Sequence, residues 1–111
     1  MTEHRLNMFC LVDGEPVSKV FSIKPTPADT VDDLKNLIKS ALSPQFDDIA
    51  AKDLTLWSVS ISVKDVDKTN PIVLTEVKSA TELDPTDEIS DVFDDKLPKK
   101  TIHIIVQRPL P

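Results

Sequence analysis

One segment of this chain has the spacing of an amphipathic helix, while its clearest other apolar runs alternate like strands. Val31, Leu34, Leu37, Ile38 and Ala41 recur at intervals of three and four, and Lys35, Asn36 and Lys39 take the other face. Thr30 stands where an N-cap is needed, and Asp33 follows three residues on, a shorter version of the capping box. Asp32 and Asp33 lie at the positive end of the helix dipole and Lys39 near its negative end, and Pro44 is placed to stop the helix. A lone helix has one apolar stripe to bury, and a sheet offers it one face. The expected fold class is therefore α+β, with a mixed sheet packed on one main helix.

The strands are read from period-two alternation. Leu6, Met8, Cys10 and Val12 alternate with Asn7, Phe9 and Leu11, Asp13-Gly14 supplies a turn, and Val17, Phe21 and Ile23 resume the pattern until Pro25 and Pro27 break it. In the third strand Leu54 and Leu56 share one face but Val59, Ile61 and Val63 share the other, with Ser58, Ser60 and Ser62 between them. That slip near Ser58 calls for either a bulge or two segments buried on opposite sides, and in its second half the serines are expected to face water. Lys64 to Asn70 reads as an exposed, mobile loop, and Pro71-Ile72-Val73-Leu74 as a short edge strand with its proline at the start. The acidic stretch from Ala80 to Lys100 is anchored by Leu83, Ile89, Val92 and Phe93, with one helical turn over Ile89 to Phe93. Ile102, Ile104 and Val106 alternate with His103, Ile105 and Gln107 before Pro109, and the density of β-branched residues argues for a central strand. Hairpin, helix, strands and closing strand come in the order of a ubiquitin-like β-grasp. In it the first and last strands run side by side, with Ile102 and Ile104 against Leu34 and Ile38.

Size and charge narrow the function. At 111 residues and 12.3 kDa, residues 1–111 are expected to form a single domain. Nineteen acidic against thirteen basic residues give a net charge of -6 and a pI near 4.7, which sets the field of the domain against nucleic acid. Cys10 has no partner for a disulfide, which suits a reducing compartment, and no flanking cation activates its thiol, so it reads as a buried strand residue. Neither a signal peptide in the first sixteen residues nor a transmembrane span is legible.

Chemistry is sparse. Carboxylates pair at Asp47-Asp48, Asp65 with Asp67, Asp87-Glu88 and Asp94-Asp95, but His4 and His103 stand apart from each other and from any ligand spacing. These acids read as solvated loop residues and helix caps, and Asp53 as a cap on the turn from Ile49 to Lys52. Lys99, Lys100 and Arg108 cluster around the last strand without interleaved aromatics, which favours solubility and edge protection over phosphate binding. No catalytic residue, cofactor or metal site is expected, and a small metal-dependent hydrolase lacks the glycine loop, histidine spacing or nucleophile elbow it needs. Trp57 is the feature with the most binding character. On an outer sheet face it lies with Thr55, His103 and Ile105, a candidate interaction face; alternatively it covers a sheet edge or packs under the Lys64 to Asn70 loop.

Two resemblances sharpen this reading. TIHIIVQR, from Thr101 to Arg108, looks like the closing strand of ubiquitin, and the preceding ISDVF is similar to the short turn before it. More specifically, CLVDGEPVSKVFSI, TVDDLKNLIK, FDDIAAKDLTLWSVSI and TIHIIVQRP resemble the N-terminal domain of crinkler effectors, known from oomycetes and fungi. Oomycete members carry an LFLAK-type motif in the middle strand. Here Leu54, Thr55, Leu56, Trp57, Ser58, Val59 and Ser60 stand in its place, matching its leucines, replacing its aromatic with Trp57 and lacking its Ala-Lys ending, so the chain looks like the fungal branch. The resemblance implies a non-enzymatic N-terminal module for secretion, translocation, protein interaction or self-association, with an effector cargo beyond residue 111 acting in the host cell, often in the nucleus. A conjugatable modifier or ubiquitin-pathway adaptor is the other reading, but QRPLP puts two rigid prolines where a modifier needs a thin glycine tail.

Overall fold

The computed structural model describes residues 6–26, 28–43, 45–62, 69, 71–77, 80–93 and 101–109. Its strands are β1 (Met8–Val12), β2 (Phe21–Ile23), β3 (Thr55–Ser62), β4 (Thr81–Glu82) and β5 (Thr101–Gln107); its helices are α1 (Val31–Ala41) and the single turn α2 (Ile89–Val92). The strands form one sheet in the order β2-β1-β5-β3-β4, with β1 and β5 parallel and the other neighbours antiparallel. This is an α+β β-grasp with the first and last strands adjacent and β5 at the centre, as the apolar density of TIHIIVQ implied.

Local chemistry explains α1. Thr30 Oγ1 accepts from the Asp33 amide and the Asp33 carboxylate accepts from the Thr30 amide, a complete capping box. Two further orphan amides of the first turn also find acceptors, Val31 N–H on the Asp87 carbonyl and Asp32 N–H on that of Pro85. The loop leading into α2 therefore seals the helix N-terminus, and Ile89 N–H returns a bond to the Asp29 carbonyl.

The buried stripe of α1 is rotated from the expected one. Val31, Leu34 and Ile38 are buried and Leu42 is partly so, but Lys35 is only 6% exposed, whereas Leu37 is 37% exposed and Ala41 faces solvent. The row 31, 34, 35, 38, 42 is as good a helical stripe as 31, 34, 37, 38, 41, and Lys35 fits because its alkyl stem lies on apolar surface with the ammonium in the field of Asp84. These helix residues share one core with Leu6, Met8, Cys10, Val12, Ile23, Phe46, Leu54, Leu56, Leu83, Ile89, Ile104 and Val106.

Several expectations are corrected. Val17 belongs to a 3-10 turn, Val17–Lys19, and not to the return strand, which is only three residues long. Pro71 makes one isolated bridge to Pro16, and Leu74–Glu76 is a 3-10 turn, so the edge strand is β4 and not the run from Pro71 to Leu74. Ile102 does not join the core of Leu34 and Ile38; Ile104 does. Beside Ile102 the β3–β5 ladder is irregular: Ser58 pairs with Ile104 but Ile61 pairs with Ile102, leaving two residues of β3 against one of β5, a bulge. Both readings of the slip near Ser58 hold: one strand carries the bulge, and it buries Leu54 and Leu56 on the side of α1 but Val59 and Ile61 in the second cluster, with Ile102. Pro27, Pro44, Val63, the Lys64 to Asn70 loop apart from Thr69, Asp94, Asp95, Lys99 and Lys100 lie outside the described residues.

Replacing Thr30 with Ala removes the cap and is expected to lower stability by about 1 kcal/mol. Urea denaturation of the variant with an unchanged m-value measures it.

Candidate functional site

The residues in place of the motif, Leu54 to Ser60, follow a 3-10 turn, Ala51–Asp53, whose cap residue Leu54 donates its N–H to the Ala51 carbonyl. Asp53 lies inside that turn rather than capping it, and the turn starts from Ala50 with no side-chain bond, which corrects the expectation for Asp53. From Leu54 onward alternation divides the segment. Leu54 and Leu56 are buried against α1, Thr55, Trp57 and Ser58 are half-buried, Val59 is buried and Ser60 is exposed. The two leucines that match the motif are thus core residues.

The opposite side of the sheet brings together the expected face. Thr55 pairs with Gln107 and Trp57 with Ile105, and Ile105 in turn pairs with Leu11 of β1, giving an apolar row across three strands. Trp57 Nε1 donates to Gln107 Oε1 at 3.0 Å, which fixes the indole along the β3–β5 pair. His103 sits further along β5. Its Nδ1 accepts the Phe9 amide at 3.0 Å, and its ring stacks on that of Phe9 at 6.2 Å between centroids.

This face is not the open patch expected of it. His103 is 3% exposed and Ile105 is fully buried, because a second apolar cluster of Leu11, Val17, Val59, Leu74, Ile102 and Ile105 is built on it. Ile72, Val77 and Ala80 pack there too, together with Trp57. The cover comes from residues 71–77, tied to the β1–β2 turn: Leu74 N–H donates to Asp13 Oδ1 at 2.7 Å, Gly14 N–H to the Ile72 carbonyl, and Ile72 N–H to the Glu15 carbonyl. Gly14 permits this approach with a φ of 88°, a conformation that costs glycine little. Sequence reasoning missed this cover, since Ile72, Val73 and Leu74 have the apolar density of a strand and nothing local reveals that they lie across the sheet.

Three further carboxylates bond to near neighbours. Asp84 Oδ1 accepts from both the amide and hydroxyl of Thr86, whose bonds hold the carboxyl below its usual range. Asp29 accepts from the Thr26 amide and Asp47 from the Ser43 hydroxyl. Among the described residues no three His, Cys, Asp or Glu side chains are grouped to hold a metal ion, and no helix is long and apolar enough to cross a membrane. Arg108 is exposed past the end of β5. Burial pushes the Cys10 thiol far above its usual range.

A family model for the Crinkler effector protein N-terminal domain matches residues 6–107, from just before β1 through the end of β5. This chain belongs to the Crinkler effector N-terminal domain family. Crinkler effector protein 1 of the fungus Rhizophagus irregularis is 31% identical over 104 residues, which cover 94% of this chain and 22% of that relative. The chain therefore spans about a fifth of the length of the curated relative it matches. No solved structure gives a significant match. Within this crinkler domain Leu54 and Leu56 hold the helix to the sheet, so changes at the motif leucines act first on folding.

Leu54→Ala and Leu56→Ala are each expected to lose about 2–5 kcal/mol of stability, whereas Ser60→Ala stays within about 0.5 kcal/mol, as read by chemical denaturation. The Cys10 thiol is expected to stay unlabelled by a thiol-specific reagent in the native protein and to label fully in denaturant.

Proposed function

We propose that this domain is the non-enzymatic, ubiquitin-like N-terminal module of a host-directed effector, serving secretion, translocation or assembly of a C-terminal cargo. The observation that carries the reading is the family match across residues 6–107, reaching every strand of the sheet. It is supported by the length of the fungal relative, of which the matched region is 22%. It is also compatible with the described side chains, where Asp29, Asp47 and Asp84 bond neighbouring amides or hydroxyls and the Cys10 thiol is buried in the core.

A module of this kind works through protein contacts. The sheet has short edges, β2 with three residues and β4 with two, and among the described residues β4 pairs with Trp57 and Ser58 of the eight-residue β3 while Leu83 N–H beside it donates to the Leu56 carbonyl. Strand addition at an edge is the mode of engagement such geometry favours, with Thr55 and Trp57 at its margin. The cargo it delivers acts in the host cell, and its activity belongs to the part of the protein beyond this domain.

The test joins residues 1–111 to a reporter enzyme and compares delivery into host cells with that of the reporter alone, alongside light scattering of the domain across concentration. Delivery or concentration-dependent assembly that requires the domain is the expected result. A reporter that arrives equally well without it, joined to a domain that stays monomeric at all concentrations, overturns the proposed role in delivery and assembly.

A further inference from the structure

The cover over the second apolar cluster is attached differently from the three central strands. Among the described residues, the hydrogen bonds that join residues 71–77 to the rest of the fold run to Asp13, Gly14 and Glu15, two between backbones and one from Leu74 N–H to the Asp13 carboxylate. A further bond, from Val77 N–H to the Leu74 carbonyl, is internal to the segment. By contrast β1, β5 and β3 are joined to one another by extended ladders. The segment also packs shallowly: Leu74 is the least buried member of its cluster, and Ile72, Val73 and Val77 are only partly buried.

From this difference we infer that residues 71–77 are a strap that opens as a unit while the sheet stays paired. The Asp13 carboxylate is its latch. Releasing the described bonds to Asp13, Gly14 and Glu15 and the bridge of Pro71 to Pro16, together with the contacts of Ile72, Leu74 and Val77, detaches the strap without breaking any bond between β1, β5 and β3. What it uncovers is the row Leu11, Ile105 and Trp57, with Val59 beside it. Trp57 remains fixed in that state by its bond to Gln107, which belongs to the β3–β5 pair and not to the strap. The strap thus governs when the apolar face opposite α1 is exposed, and it does so whatever this domain delivers.

Native-state hydrogen exchange of the 111-residue chain tests this through the amides of Ile72 and Leu74. They are expected to exchange at least about 100-fold faster than the amides of β1 and β5, with little dependence on low concentrations of urea because little surface opens. Asp13→Ala is expected to speed their exchange at least about tenfold, in line with loss of a hydrogen bond to a charged group. It should also raise quenching of Trp57 fluorescence by acrylamide while far-ultraviolet dichroism stays native. Ile72 and Leu74 amides that exchange in the unmodified chain at the rate and with the urea slope of β1 and β5 overturn the proposal, because the strap then leaves only when the whole domain unfolds. So does an Asp13→Ala chain that folds with Trp57 quenching and Leu74 exchange unchanged.

Discussion

The parallel pairing of β1 with β5 is the contact on which the rest of the domain depends. It joins residues about 94 apart in sequence, Cys10 to Ile104, Leu11 to Ile105 and Val12 to Val106, so it carries the entropy cost of closing nearly the whole chain. What offsets that cost is that both faces of β5 are buried. Ile104 and Val106 enter the core beneath α1, while Ile105 enters the second cluster on the other side. Even the start of the pair is closed by a side chain, since the Phe9 amide is taken up by His103 of β5 itself. A central strand buried on both sides has little tolerance for a register slip, which would exchange the two sets of side chains.

A sheet with two apolar faces and one long helix leaves a face to be covered, and the domain solves this with irregular chain. The 3-10 turn Val17–Lys19 and the segment 71–77 provide Val17, Ile72, Leu74 and Val77, and the turn around Gly14 ties them together. Strand β3 belongs to the same solution: by simple alternation the even positions Leu54 and Leu56 face the helix side and the odd positions Val59 and Ile61 the other, so one strand serves both cores. Stability consequently depends on the segment from Leu54 to Ile61, which bridges the two cores. Four of the domain's carboxylates, those of Asp29, Asp33, Asp47 and Asp84, bond to groups two to four residues away.

Much of this was written locally in the chain. Thr30 and Asp33 announce the helix start because capping is a contact across three residues, and TIHIIVQ announces a central strand because Ile102, Ile104, Ile105 and Val106 crowd four β-branched apolar residues into five positions. The slip from Leu54 and Leu56 to Val59 and Ile61 called for a bulge or for burial on opposite sides, and the strand has both. The candidate face fared differently. Alternation correctly placed Trp57 beside Ile105, yet side-chain direction carries no information about what lies above, and the cover is a segment whose own letters resemble a strand.

Relations between near neighbours, and the order of elements along the chain, were enough to specify the helix and its cap, the hairpin, the central closing strand and the family. They could not specify that Lys35 is buried and Leu37 exposed, that Ile102 leaves the helix side, or that His103 and Ile105 lie buried on the face that residues 71–77 cover. Those outcomes were set in three dimensions, by which surfaces meet across many tens of residues. A periodic pattern fixes that an apolar stripe exists, but its rotation and its cover are set by whatever packs against it.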